Sequence, residues 1–242
     1  DGRIGHLGFS FHDEYEVFEE IVDAYDWAFC QIQYNYMDIE TQAGRKGLEY
    51  AAAKGIAVVI MEPLLGGRLV DPPEKIERIW QEAETHRTPA DWALQWVWNQ
   101  PEVALVLSGM TAMTHVEENV ASADVAGVGS LTEEELALID RVRSAYEELC
   151  PIPCTQCQYC MPCPHGVDIP QNLDAYNQGV MYDKPDAARQ SYQFIDEENR
   201  ASACVDCDEC EEKCPQTIPI SDWMVHVHEV LGEGAPYVCE LP

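Results

Sequence analysis

Residues 39–61 read IETQAGRKGLEYAAAKGIAVVIM. The spacing predicts a helix over 39–54 that closes at Lys54-Gly55, as helix C-termini do, and then a strand over 55–61. The same βα unit recurs on both sides. Upstream, IGHLGF (4–9) is a short apolar run followed by a helix over 14–25, where Asp13 and Glu16 are spaced as a capping box and Val17, Phe18, Ile21 and Val22 fall at helical spacing. FCQIQY (29–34) is a strand leading into the helix at 39–54. Downstream, a helix at 74–84 and a second after Thr88-Pro89 follow the strand at 55–61, and VALVLSG (103–109) leads to a helix at 115–123. A further helix, capped by Thr132 and Glu135, runs to about Tyr146. Four βα units in series predict a parallel sheet, because each crossover helix returns the chain to the same end of the next strand.

Such a sheet is either open and doubly wound or part of a closed barrel. No GxGxxG follows the first strand. Polar residues sit instead past the ends of successive strands: Ser10, then Gln31 with Gln33 and Asn35, then Glu62 and Ser108. That is the rim on which (β/α)8 barrels build their sites, and since a barrel needs eight units in about 250 residues, four imply half of one.

The 242 residues carry 14 Lys+Arg against 44 Asp+Glu, a formal net charge of −30. A field of that sign repels nucleic acid and anionic membrane, so neither is expected as a partner. No apolar run approaches the length of a spanning helix. Cysteine divides the chain: only Cys30 precedes residue 150, and the other ten of the 11 follow it. The expected domains are 1–149 and 150–242. The absence of a signal-like opening favours a reducing cytoplasm, although the first residue is Asp1 and a preceding segment is expected.

Cys154, Cys157, Cys160 and Cys163-Pro164 form one run with gaps of two, two and two. Cys204, Cys207, Cys210 and Cys214-Pro215 form a second with gaps of two, two and three, the bacterial ferredoxin spacing. Three thiolates on one loop reach three corners of a cubane and the fourth must come from elsewhere. The expected ligand sets are therefore crossed, Cys154, Cys157, Cys160 with Cys214 and Cys204, Cys207, Cys210 with Cys163, each holding a 4Fe-4S cluster. Zinc is the main alternative. Cys150 is a substitute ligand or, like Cys30 and Cys239, a packed thiol. Tyr159 and Met161 are expected to shield the clusters. Residues 171–199 have helical character through Leu173, Tyr176, Val180, Ala188, Tyr192 and Ile195, and Ser221 is expected to cap a helix at 222–231, so the second domain is a mostly α-helical one. His226 and His228 lie two apart, face different ways on a helix and are packing or surface residues.

GRIGHLGFS (2–10), QIQYN (31–35), EPLLGGRL (62–69), TPADWALQWVWNQPEVALVLSGM (88–110) and THVEENV (114–120) resemble the C-terminal half of an aldo-keto reductase barrel. With the cysteine region, the likeness is to members fused to a ferredoxin-like domain with two 4Fe-4S clusters. The resemblance implies NAD(P)H as a cofactor, with Ser10 and Gln31 on the nicotinamide carboxamide, Ser108, Gly109 and Met110 on the adenosine phosphate loop, and Glu118 and Asn119 on the adenine. It also implies that the catalytic Asp, Tyr, Lys and His belong to earlier strands. Met61 stands where many NADP-selective members carry an aromatic residue, and Gly109 and His115 stand where they carry basic ones. This departure leaves NADH, a flavin or no nucleotide open.

The expected function is an iron–sulfur oxidoreductase moving electrons through the two clusters to or from a nucleotide- or carbonyl-linked barrel site, with an electron donor or acceptor protein, or a nucleotide, as partner. A non-catalytic electron-transfer or structural cluster module and a zinc-binding interaction domain are the alternatives. Two open edges and apolar strands predict self-association or a preceding half of the barrel.

Overall fold

The computed structural model describes residues 2–238. Its contacts divide the chain into two compact units, one up to Arg143 and one from Ser144.

The first unit is an α/β partial barrel. Its sheet, among the described residues, has four parallel strands in the order β1-β2-β3-β4: Gly8–Ser10, Phe29–Gln33, Ala57–Met61 and Val103–Val106. The helices are α1 (Tyr15–Ala24), α2 (Gly44–Ala53), α3 (Glu74–Trp80), α4 (Pro89–Trp98), α5 (Met113–Val125) and α6 (Glu133–Glu147), whose last turn lies past Arg143. Alternate residues of the two central strands, Cys30 and Ile32 with Val58 and Ile60, are buried, and the other face of each strand is half-buried or open. The helices bring the matching apolar stripe through Phe18, Val22, Leu48 and Ala51. Aromatic side chains fill what remains, with Trp80 stacked on Trp92 at 5.2 Å and Tyr36 edge-on to Trp80. Phe18 also lies so close to Gly47 that a Cβ there would stand 3.1 Å from the ring.

Several local expectations are corrected. The first strand covers only 8–10, and Ile4 and Leu7 are exposed. The Asp13/Glu16 box does not form: the Asp13 carboxylate accepts from the N–H of Glu14, and Glu14 is the N-cap with no side-chain bond to the helix. Helix α2 begins at Gly44 rather than 39, because Asn35 folds the preceding segment into a turn by accepting from the N–H groups of Met37 and Asp38, and Gln42 and Gly44 take positive φ. Helix α3 stops at Trp80 rather than 84. Thr88 caps α4, and Thr132 and Glu135 cap α6 reciprocally.

The second unit is the α-helical, ferredoxin-like region, built on α7 (Ile169–Met181), α8 (Pro185–Gln193) and α9 (Ile220–Leu231) around Leu173, Tyr176, Tyr192, Trp223, Met224 and Val227. Ser221 is not the cap of α9; Pro219 is, and Ser221 lies inside the helix with its N–H on the Glu211 carboxylate. His226 and His228 pack on Tyr176 and Tyr192, with ring nitrogens 3.1 and 2.9 Å from the phenol oxygens. Among the described residues no helix is long and apolar enough to cross a membrane. Cys239 lies outside the described residues.

Candidate functional site

The carboxyl ends of β3 and β4 and the start of α5 enclose an open cavity of about 720 Å³. Its wall is set by backbone that sequence periodicity does not reveal. Directly after β3, Glu62 takes φ 55°, and Leu65, Gly66 and Gly67 follow at 50°, 63° and 86°. Left-handed conformations at Glu62 and Leu65 cost on the order of 1 kcal/mol each and persist only where the surroundings fix them. At Glu62 the fully buried Asn35 does so, its amide donating to the Glu62 carbonyl at 3.1 Å, and the Leu65 N–H donates to the same carbonyl. Gln33 donates at 2.6 Å to the Asp38 carboxylate beside it. Burial pushes the Asp38 carboxyl up from its ordinary value, against the hydrogen bonds of Asn35 and Gln33 and the charge of Arg68, which pull it down.

On the opposite wall Asn119, on α5, donates to the Ser108 hydroxyl at 3.0 Å. Ser108, Gly109, Glu118 and Asn119 all line the cavity, with Met61, Glu62, Asp71, Thr111 and His115. Met110 does not; it is exposed. Ser10 and Gln31 are register partners on β1 and β2 outside the cavity wall. Gln31 reaches it through its neighbour, its amide lying 3.4 Å from the Met61 sulfur. The Gly66-Gly67 turn and Asp71 were not singled out as site residues by sequence, although the LLGG run that carries the turn was visible.

The cysteines occupy two small cavities in the second unit. Cys154, Cys157, Cys160 and Cys214 line one, and Cys163, Cys204, Cys207 and Cys210 line the other. Both loops use the same backbone device: residues either side of the central cysteine, Gln156 and Gln158 in one and Asp206 and Asp208 in the other, have positive φ. Burial pushes the thiols of Cys154, Cys160 and Cys204 up from their ordinary range, and that of Cys210 up to about 11.

The ligand expectation fails on fit. Among the described residues no group of three or more His, Cys, Asp or Glu is arranged to hold a metal ion. The two cavities measure about 20 and 10 Å³, room for about one water each. This corrects the expectations of two 4Fe-4S clusters, of electron transfer through them, and of iron–sulfur or zinc binding. The shielding role for Tyr159 falls with them, since that ring is exposed. Cys150 is a half-buried thiol donating to the Ile152 carbonyl at 3.2 Å.

Residues 1–144 match the family model for the aldo/keto reductase family. The chain belongs to that family. Residues 153–218 match the model of the 4Fe-4S dicluster domain, so this aldo-keto reductase domain is fused to a ferredoxin-type domain. The chain is 29% identical over 140 residues to an uncharacterized oxidoreductase of Schizosaccharomyces pombe, which spans 58% of this chain and 42% of the relative. Among solved structures it is similar to the aldo-keto reductase AKR11C1 of Bacillus halodurans in its holo form, at 21% identity and TM-score 0.47 over 57% of this chain and 49% of that one. It is also similar to an aldo-keto reductase of Klebsiella pneumoniae in complex with NADPH, at 26% identity and TM-score 0.45 over 59% and 49%. The chain thus spans about half the length of these relatives.

Proposed function

We propose that the aldo-keto reductase domain is the nucleotide-holding part of an oxidoreductase that uses a nicotinamide dinucleotide. The observation that carries this reading is the cavity at the carboxyl ends of β3 and β4. Its size falls in the range of small-molecule sites, roughly 300–1,000 Å³, and its position is the one where parallel α/β folds bind ligands.

In this reading Ser108 and Gly109 carry the loop that meets phosphate, and Glu118 and Asn119 hold the adenosine end. Asn119 fixes the Ser108 oxygen as an acceptor, so the hydroxyl proton is left to point at an anion. Ser10 and Gln31 are assigned to the nicotinamide end, where Gln31 is steadied against Met61. The bound nicotinamide supplies hydride chemistry; the residues named here bind and orient it. Met110, next in the same loop, is exposed and outside the cavity wall. We also place the protein's work in the cytoplasm, a reading supported by the free state of the ten cysteines among the described residues.

Titration of the full chain with NADH, followed by nicotinamide fluorescence, tests the proposal. Saturable binding is expected, weakened about tenfold in Asn119→Ala, which releases the Ser108 hydroxyl. No saturation at millimolar nucleotide overturns the reading.

A further inference from the structure

We propose that residues 235–238 form a pH-sensitive strap on the ferredoxin-type unit, fastened when His226 is protonated and loosened when it is neutral. The strap follows a turn in which Gly234 takes φ 86°. The Ala235 N–H donates to the Glu229 carbonyl on α9 at 2.9 Å, and Arg189 on α8 donates to the Ala235 carbonyl at 3.3 Å. Tyr237 packs on Tyr176 of α7 with 4.9 Å between ring centres, in a slot that exists because residue 179 is glycine: a Cβ there would stand 2.2 Å from the Tyr237 hydroxyl. The clasp is the fully buried Tyr176, whose hydroxyl bonds both backbone groups of Val238, donating to the carbonyl at 2.8 Å and accepting from the N–H at 3.1 Å.

A hydroxyl has one proton and two lone pairs. With both Val238 groups bound, the remaining lone pair of Tyr176 meets His226 Nε2 at 3.1 Å, so that nitrogen must carry a proton. The other ring nitrogen, Nδ1, lies 3.6 Å from the Glu229 carboxylate, which also calls for an N–H. A neutral imidazole has one N–H to give and an imidazolium has two. In the neutral ring either Nδ1 turns a lone pair on the carboxylate, or Nε2 turns one on Tyr176 and draws the hydroxyl proton away from the Val238 carbonyl. Protonation thus favours the fastened strap, and its loss favours the open one. Facing the ring are Tyr176 from α7 and Trp223 and Glu229 from its own helix. Tyr237 lies beyond Tyr176, beside Arg189, and burial pushes its phenol up to about 12, so it stays neutral while histidine titrates.

Hydrogen exchange of the full chain, read by mass spectrometry and corrected for the intrinsic pH dependence of exchange, tests this. The pH is raised from about 5 to about 8, the range in which histidine side chains change charge. Protection of peptides covering 235–238 is expected to fall by about fivefold to tenfold, a usual size for coupling between two groups, while protection of α7 holds. His226→Gln keeps a side-chain N–H for Tyr176 and removes the titration, so its protection is expected to stay flat across that range. His228→Gln is the control, because His228 meets Tyr192 and Glu233 instead, at 2.9 and 3.9 Å, and the fall should survive there. Protection that does not change with pH in the parent overturns the proposal, as does a fall that persists in His226→Gln or vanishes in His228→Gln. A fall shared equally by α7 is loosening of the whole unit and overturns it too.

Discussion

The two units use the same chemical elements of a chain in opposite ways. In the aldo-keto reductase domain the apolar strands are regular, polar groups collect past the strand ends, and the single cysteine, Cys30, is sealed inside β2. In the ferredoxin-type unit the thiols sit on loops, and a few buried amides tie those loops to the helices. Asn172 donates to the carbonyls of Asp168 and Asn199 and accepts from the N–H of Ala201, while Asn177 pairs with both backbone groups of Ile152. A sheet satisfies its backbone by its own ladder; loops lack one, and side chains must do the work. The difference teaches where each unit is vulnerable: the first in its strand-end loops, the second at single polar residues.

The largest contrast lies in thiol reactivity. Burial pushes the Cys30 thiol from 9.0 up to about 12, so its thiolate fraction near neutral pH is about a thousandfold below that of an unshifted thiol. Cys157 and Cys207 are exposed. With iodoacetamide under native conditions, mass spectrometry should find label on the exposed Cys157 and Cys207 well before the buried Cys30. Comparable rates would erase the distinction between a sealed and an accessible thiol.

Next come the buried asparagines. Asn172→Ala removes three hydrogen bonds and leaves the Ala201 N–H orphaned, a loss of about 3 kcal/mol. Asn35→Ala orphans the N–H groups of Met37 and Asp38 and frees the Glu62 carbonyl, about 2–3 kcal/mol. Hydrogen exchange should show lost protection around 166–203 for the first and around 35–65 for the second. A similar, diffuse response to both would mean that these amides do not hold local loops.

How much of this was legible depended on periodicity. The strands at 29–33 and 57–61 lie inside the apolar runs that predicted them, although burial on one face only did not show there, and the cap at Thr132 and Glu135 showed in its spacing. Asn35 and Asn172 did not, because a buried amide is recognised only by partners distant in sequence. The left-handed turn at Glu62 and Leu65 was hidden for a related reason: only the two glycines advertise it, and the strained residues before them look ordinary. Cysteine spacing marked the thiol loops that meet around each small cavity. It could not show that cavity's volume, which depends on how Ile169, Leu173 and Ile220 pack around the loops.

The smallest effect tests the comparison from the charged side. Arg87, mostly buried, bonds the Glu135 carboxylate and lies 4.4 Å over the ring of Trp92, tying the start of α4 to the cap of α6. Burial pushes the Glu135 carboxyl up, but the Thr132 N–H and Arg87 outweigh it, and the net shift is downward from 4.5. A carboxylate with a lowered folded pKa stabilises the fold above its unfolded pKa, and that contribution is lost as pH falls through the lower folded value. Arg87→Met should therefore cost about 1–2 kcal/mol at pH 7. The gap between variant and parent should shrink below about pH 4.5 as Glu135 takes up its proton. Denaturant melts at pH 7 and pH 3.5 measure it. A gap that stays constant across that range would assign the contribution of Arg87 to its stacking on Trp92 rather than to the ion pair, and would make packing, not charge, the bond between these two helices.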